Sequence, residues 1–147
     1  KEAKTPHFFN YELMKEINGG TQMRDVWTLP AIAKWEKNCG KHPTQKPLCV
    51  LSRIILSSTQ PGAWVLDPFA GSSTTGIAAN LLGRRYLGMD MCQDFLDLSI
   101  KRKDEIEDPV IREEILLKLN KQSELHQDKE IRVLGEEQVG YGEELPF

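Results

Sequence analysis

Hydrophobic and polar positions between residues 44 and 105 alternate between the spacing of helices and that of strands. The first helix is predicted to begin at Pro47, which suits a first helical turn, and to end near Ser58, ahead of a Pro-Gly turn. Its predicted inward face consists of residues spaced three or four apart, namely Leu48, Leu51, Ile54 and Ile55. The apolar run at 63–66, closed by Asp67, then predicts a short buried strand.

The same alternation continues for two more helices and one more strand. A second helix is predicted to begin among the hydroxyl residues at 72–74, which offer N-caps, and to stop at Gly83. A strand follows over 85–89 and ends at Asp90, and a third helix begins at Gln93 and ends near Glu105. The predicted inward positions of these two helices are Ile77, Ala78, Leu81, Leu82, Phe95, Leu96, Ser99 and Ile100. Helices and strands in this order indicate an α/β fold with a parallel, doubly wound sheet.

The flanks of this regular region are predicted from weaker signals. The residues ahead of it are loop-rich, with one short strand over 25–29 that Pro30 closes. Behind it, Asp108 is expected to cap a further helix, and 129–134 are expected to form a last strand. That helix would carry Ile111, Ile115 and Leu119. The chain is therefore expected to comprise a lead-in, an α/β unit and an acidic helical tail, at 1–43, 44–105 and 106–147.

Composition narrows the class of protein. With 39% hydrophobic and 28% charged residues and no long apolar run, the chain is predicted to be globular, without a membrane partner. The net charge is +4 over 1–104 and −7 over 105–147, which permits nucleic-acid binding without demanding it. Three cysteines with no motif spacing fit a reducing cytoplasm. No metal is expected, since Cys39, His42 and Cys49 lack a fourth ligand.

The segment 67–76 carries the candidate chemistry. A strand, a small-residue turn and a helix N-terminus together present backbone N–H groups to a ligand. Asp90 ends the next strand, where a ribose diol is commonly bound. Asp67 would repel a phosphate and attract an ammonium group. S-adenosylmethionine combines an ammonium group, a ribose diol and an adenine.

Two other nucleotide classes fit this segment less well. Gly71 and Gly76 have the glycine spacing of a nucleoside-triphosphate loop, but Ile77 and Ala78 stand where that loop needs Lys and Ser or Thr. Ser73 stands where a dinucleotide fold needs its second glycine. A nucleoside ligand without a pyrophosphate remains.

Two motifs carry a family resemblance: His-Pro-Thr-Gln-Lys-Pro at 42–47 and Asp-Pro-Phe-Ala-Gly-Ser-Ser-Thr-Thr at 67–75. Together they resemble the cofactor half of the bacterial amino-methyltransferases of DNA, in the subgroup whose cofactor motifs follow the target-recognition region. The resemblance covers about residues 21–104. It implies a Rossmann-like S-adenosylmethionine-dependent methyltransferase fold, present only in its cofactor-binding half, with 1–43 as the end of the target-recognition region.

The resemblance also implies a set of cofactor-binding residues: Thr44, Lys46, Asp67, Phe69, Gly71, Ser72, Thr74 and Asp90. Thr44 or Lys46 would meet the methionine carboxylate, and Phe69 would lie against the cofactor. Ser72 and Thr74 would either donate to the ligand or cap the helix. No catalytic residue is assigned, because the family's Asp, Asn or Ser followed by Pro-Pro and an aromatic residue is absent from residues 1–147.

The implied function is methyl transfer from S-adenosylmethionine to an exocyclic amino group of double-stranded DNA, most often adenine N6 rather than cytosine N4. The chain would then be the carboxy-terminal part of a longer, site-specific enzyme in the bacterial cytoplasm. A restriction endonuclease partner and a homodimer are both compatible with such an enzyme. Two alternatives stay open: a non-catalytic cofactor- or DNA-binding remnant, and a methyltransferase for RNA or a small molecule.

Overall fold

A computed structural model describes residues 7–125 of the chain. Its elements are α1 (Tyr11–Ile17), a 3-10 helix (Lys34–Lys37), α2 (Leu48–Ser58), β1 (Trp64–Asp67), α3 (Thr74–Leu81), β2 (Arg85–Gly88), α4 (Gln93–Glu105) and α5 (Pro109–Leu125). The two strands pair in parallel, with Trp64 opposite Arg85 and Asp67 opposite Gly88. The predicted order of helices and strands from residue 47 onward is therefore confirmed.

Local signals fix the bounds of several elements as predicted. Pro47 stands immediately ahead of α2. Gly83 follows α3 with a φ of +73°, in the left-handed region that glycine adopts most easily. The Asp108 carboxylate accepts hydrogen bonds from the N–H groups of Val110 and Ile111 at 2.8 and 3.3 Å, and so caps α5.

The helices pack on one face of the sheet and enclose a single apolar core. Ala78 and Ala79 of α3 are fully buried, and their small side chains allow α2 to pack closely against α3. Val65 and Tyr86 point from the two strands toward this helical layer. Leu119 of α5 is 1% exposed and lies in the same core, so the tail helix is part of the packed domain. This helical layer supports both strands on one face of the sheet and so fixes the position of their carboxyl ends.

The opposite face of the sheet is open. Trp64, Leu66 and Leu87 are 66%, 61% and 55% exposed, so the prediction of a short buried strand is wrong for β1. Side chains alternate between the faces of a strand, and Val65 and Tyr86 are the strand residues that pack against the apolar core. No described residue covers the open face. Exposed apolar side chains in such a cluster indicate a surface that packs against further protein.

A cavity of about 310 Å³ lies beside β2, between α3 and α4. Ile77, Tyr86, Leu96 and Ile100 contribute its apolar walls. Within residues 7–125, β1 and β2 pair only with each other. An unpaired strand edge carries free N–H and C=O groups that favour the addition of a further strand. The open face, the two edges and the cavity are the places where more chain could complete the sheet.

The lead-in differs from its prediction in two ways. Residues 25–29 form no strand, and Val26 is 79% exposed, because no partner strand lies beside them in the described chain. Helix α1 was not predicted, although Asn10 accepts a hydrogen bond from the N–H of Leu13 as its N-cap. Met14 of α1 is buried in the core against α2. The segment was assigned to a loop because a Gly-Gly pair, which is typical of loops, follows α1.

The predicted inward faces of α2 and α4 are each partly wrong. Ile54 is 43% exposed, while Arg53, one position earlier, is buried. Ile100 is 57% exposed, while Leu98 and Arg102 are buried. Periodicity places apolar residues on one side of a helix, but it does not show which charged side chains find buried partners. The predicted strand at 129–134 lies outside the described residues, and no described helix is long and apolar enough to cross a membrane.

Candidate functional site

Asp67 organises the turn that follows β1. Its Oδ1 accepts a hydrogen bond from the N–H of Phe69 at 3.1 Å, and its Oδ2 accepts one from the Thr75 hydroxyl at 2.7 Å. The carboxylate therefore links the strand end to the first turn of α3. Gly71, in the middle of the turn, has a φ of +51°. Phe69, two residues after Asp67, is 87% exposed.

Asp90 joins the same turn from the end of the neighbouring strand. Its Oδ2 accepts the N–H of Gly71 at 2.8 Å, and its Oδ1 accepts the N–H of Cys92 at 2.9 Å. The hydrogen bonds from Cys92 and Gly71 hold the pKa of Asp90 below its usual range, because they stabilise the charged form. The carboxylate is therefore ionised at neutral pH, and each oxygen keeps a further lone pair for another donor.

Arg102 holds the other side of the turn, and sequence analysis did not identify it. Its guanidinium, buried on α4, donates to the carbonyl of Ser72 at 2.5 Å and to the Thr74 hydroxyl at 3.1 Å. The side chains of Ser72 and Thr74 are themselves buried, at 3% and 6% exposure. The structure thus places these two residues beneath the turn, and their assignment to a cofactor stays a prediction.

Ser73 precedes α3 in a strained conformation. Its φ of +52° is the one positive value among the described non-glycine residues, and its hydroxyl does not cap the helix. The left-handed conformation costs a non-glycine residue about 1–2 kcal/mol. The serine therefore takes the backbone shape of a glycine at this position.

Replacing Ser73 with glycine should therefore stabilise the protein. The variant also loses the contact between the Ser73 and Tyr86 hydroxyls, which is long at 3.4 Å. The relief of strain exceeds the sum of this loss and the added freedom of the unfolded chain, so we expect a gain of less than about 1 kcal/mol, or at most roughly 3 °C in the unfolding midpoint. Thermal unfolding followed by circular dichroism measures this change. Ser72→Gly is the matched control, since Ser72 lacks the positive φ and should lose stability. Equal losses of thermal stability in both variants would contradict backbone strain at Ser73.

The segment at 42–47 lies against the same turn. Thr44 donates its N–H to Nδ1 of His42 at 3.2 Å, and Nζ of Lys46 donates to the Thr44 carbonyl at 2.8 Å. The imidazole of His42 covers Gly71, since a Cβ built there would lie 3.0 Å from Nε2. His42 thus joins the segment at 42–47 to the Gly71 turn, and the assignment of Thr44 and Lys46 to a cofactor stays a prediction.

A buried carboxylate fixes this segment to α2. Glu36 is 5% exposed and accepts hydrogen bonds from the N–H groups of Ala33 and Leu48 at 3.0 and 2.7 Å. Its own carbonyl accepts the Gln45 side-chain amide at 2.9 Å. Burial raises the pKa of Glu36, while the two backbone donors oppose that shift. Sequence reasoning missed Glu36, because an acid in a loop gives no local sign of burial.

The described residues hold no three His, Cys, Asp or Glu side chains close enough together to bind a metal ion. Cys39 instead donates its thiol to the Glu105 carboxylate at 3.2 Å. Burial, followed by that contact, raises the pKa of Cys39 to about 11. His42 lies against the ring of Phe95, with 4.1 Å between the ring centroids.

Comparison with known proteins gives concordant matches. The sequence pattern of the DNA methylase family matches residues 2–101. The type II methyltransferase M2.MboI of Moraxella bovis is 57% identical over 122 residues, which are 83% of this chain and 44% of that protein. M2.DpnII of Streptococcus pneumoniae, also a type II methyltransferase, is 54% identical over 69% of this chain and 38% of its own length.

A crystal structure of the M1.HpyAVI–SAM complex superimposes with a TM-score of 0.54 and 31% identity, over 69% of this chain and 46% of that one. This likeness confirms the predicted Rossmann-like α/β fold and its partial extent. The chain spans less than half the length of each of these three relatives.

Proposed function

Because the chain belongs to the DNA methylase family, we propose that it is the cofactor-binding part of a longer DNA methyltransferase. The observation that carries this proposal is the pair of carboxylates, Asp67 and Asp90, at adjacent strand ends around the Gly71 turn. The cofactor supplies a methyl group activated on a sulfonium. The proposed ligand is S-adenosylmethionine, with which the solved relative M1.HpyAVI forms a complex.

The residues present fit such a ligand by charge and exposure. Asp90 would accept the ribose hydroxyls on its remaining lone pairs, and Asp67 would attract the ammonium group. Thr44 and Lys46 are exposed at the adjacent segment, where they would meet the methionine carboxylate. The exposed ring of Phe69 would cover an apolar part of the ligand and exclude water.

We propose that the acceptor is an exocyclic amino group of double-stranded DNA, and adenine N6 in particular. Methyl transfer by direct displacement needs the acceptor nitrogen in line with the sulfonium, so the protein's main task is positioning. The choice of adenine rests on its frequency as the acceptor in the family that the motifs at 42–47 and 67–75 resemble. The type II relatives support a restriction–modification setting, in which a cognate endonuclease would act on the same site.

The base-binding part of the site would come from outside this chain. A base must leave the duplex to reach the cofactor, and a shaped pocket has to recover the few kcal/mol that unstacking costs. Residues 1–147 contain no Pro-Pro-aromatic sequence to build such a pocket. The open sheet face at Trp64, Leu66 and Leu87 is the proposed contact with the remaining part of the enzyme.

Isothermal titration of the whole enzyme tests the ligand class. We expect saturable binding of S-adenosylhomocysteine and no comparable binding of NAD or ATP. The reason is that Asp67 and Asp90 disfavour phosphates at the turn and that Ile77 and Ala78 replace the phosphate-binding side chains. Binding of NAD or ATP, with no binding of S-adenosylhomocysteine or S-adenosylmethionine, would overturn the proposal.

A further inference from the structure

His42 connects three parts of the candidate site that are distant in the sequence. Its Nδ1 accepts the N–H of Thr44 at 3.2 Å, within the segment at 42–47. Its ring covers Gly71, where a Cβ would lie 3.0, 3.3 and 3.4 Å from Nε2, Cε1 and Cδ2. Its other neighbour is the ring of Phe95 on α4, tilted by 58° at a centroid distance of 4.1 Å.

The hydrogen bond from Thr44 determines which nitrogen of the neutral His42 ring carries the proton. A nitrogen that accepts a hydrogen bond carries no proton, so the neutral imidazole places its proton on Nε2. That nitrogen is on the side of Gly71, whose own N–H is held by Asp90 at 2.8 Å. His42 therefore lies between the segment with Thr44 and the turn that Asp90 holds.

The glycine at position 71 gives the ring its place. A side chain there would be strained at a φ of +51° and would press against the imidazole. The histidine and the glycine thus fit each other, and the spacing between the two backbone segments is set by the thickness of an aromatic ring. Ser99 on α4 supports the same turn by donating its hydroxyl to the Gly71 carbonyl at 3.0 Å.

We infer that His42 is a positioning residue, which sets the spacing between Thr44 and Lys46 on one side and Gly71 and Asp90 on the other. This inference rests on the proposed function, in which the first pair binds the methionine end and the second pair the ribose. A ligand that spans both segments gains affinity when their spacing is fixed in advance, because binding then orders less of the protein. A ligand that touches only the turn gains little.

Two substitutions separate the hydrogen bond from the packing of the ring. His42→Phe keeps an aromatic ring against Gly71 and Phe95 but cannot accept the Thr44 N–H. His42→Asn keeps an acceptor at the position of Nδ1 and can form an Asx-turn to the same N–H. His7→Phe is the control, because His7 is exposed and lies outside the site.

Binding to the whole enzyme is measured for S-adenosylhomocysteine and for 5′-methylthioadenosine, which lacks the amino-acid end. We expect His42→Phe to weaken S-adenosylhomocysteine about 10-fold, which corresponds to about 1.4 kcal/mol, and 5′-methylthioadenosine less than about 3-fold. His42→Asn keeps the hydrogen bond but loses the ring, so it should weaken S-adenosylhomocysteine less than His42→Phe does. His7→Phe should stay close to the unsubstituted enzyme. If His42→Phe fails to fold by circular dichroism, His42→Gln replaces it, since its longer side chain also loses the Thr44 contact.

Equal losses for the two ligands, or no loss for either, would overturn the positioning role, because a general packing defect does not distinguish them. If His42→Asn weakens S-adenosylhomocysteine as much as His42→Phe does, the part assigned to the hydrogen bond is overturned. If the unsubstituted enzyme binds neither ligand, the proposed function itself fails, which is a different result from a normal enzyme with insensitive His42 variants.

Discussion

The isolated 147-residue chain should not methylate DNA, and adding the remaining part of the enzyme should restore methylation. The chain supplies a turn with Asp67 and Asp90, but its sheet is open on one face and unpaired on both edges within the described residues. Nothing in its sequence provides the Pro-Pro-aromatic motif for a flipped base. Because misplacing reacting groups by 1 Å can cost about 100-fold in rate, we expect at least that difference between the chain alone and the completed enzyme.

Tritium transfer from labelled S-adenosylmethionine to mixed-sequence DNA measures this difference. The remaining segment is supplied as a separate polypeptide, taken from the corresponding part of the Moraxella bovis relative if needed, since 57% identity preserves most contacts. The matched control is the variant Leu66→Lys, which places a charge on the open sheet face and should block restoration. Robust transfer by the chain alone would contradict the account, as would restoration that Leu66→Lys leaves unchanged.

Replacing Asp90 with alanine should weaken binding of S-adenosylhomocysteine by roughly 10- to 150-fold, the range expected for a hydrogen bond to a charged group. The structure adds a second reason to the proposed ribose contact. The carboxylate also holds the N–H groups of Gly71 and Cys92, so the variant loosens the turn that receives the ligand. Asp94→Ala is the control, because this substitution removes the same charge from an exposed position on α4, outside the turn.

The pH dependence of this contribution has a defined sign. The pKa of Asp90 is lowered in the folded protein, so its contribution is complete above the usual aspartate range and is lost as the pH falls through the lowered value. The affinity difference between the enzyme and Asp90→Ala should thus be constant from about pH 6 to pH 8, well above the usual aspartate pKa of about 3.9. Titration calorimetry across this range measures it. An unchanged dissociation constant in Asp90→Ala would assign the residue to the turn alone.

The elements that sequence analysis predicted correctly are those with strong local punctuation. Pro47, Gly83 and Asp108 act through the backbone of their own neighbours, so their effect is visible in a few adjacent residues. Helix α1 has an equally local cap at Asn10, but only seven residues and a glycine pair behind it. Short helices depend on tertiary packing for most of their stability, which a local pattern does not contain.

The open face could not be predicted, because a short apolar strand reads the same whether one or both of its faces are covered. Trp64 and Leu66 satisfy the pattern of a buried strand and yet face outward here. Burial of the apolar face depends on partners that the local sequence does not specify. We expect the same exposed face to contact the rest of the proposed enzyme.

The candidate site divides along similar lines. Asp67, Gly71 and Asp90 could be identified, because a turn between a strand and a helix places their chemistry at one edge of a sheet. Glu36, His42 and Arg102 act across 12, 29 and 30 positions, on Leu48, Gly71 and Ser72 respectively. Such contacts arise only when separate elements pack together, so a single sequence does not show them, even for His42, which opens the motif at 42–47.

The most direct test of the central claim is the product of the whole enzyme. DNA is incubated with the enzyme and S-adenosylmethionine labelled in its methyl group, digested to nucleosides, and separated by chromatography. We expect the label to enter the DNA at an exocyclic amino group, in N6-methyldeoxyadenosine. We expect Asp90→Ala to reduce the amount of label in the DNA. Label in N4-methyldeoxycytidine would correct the acceptor base alone. Label absent from DNA, or found only in RNA or a small molecule, would contradict the assignment of this chain to a DNA methyltransferase.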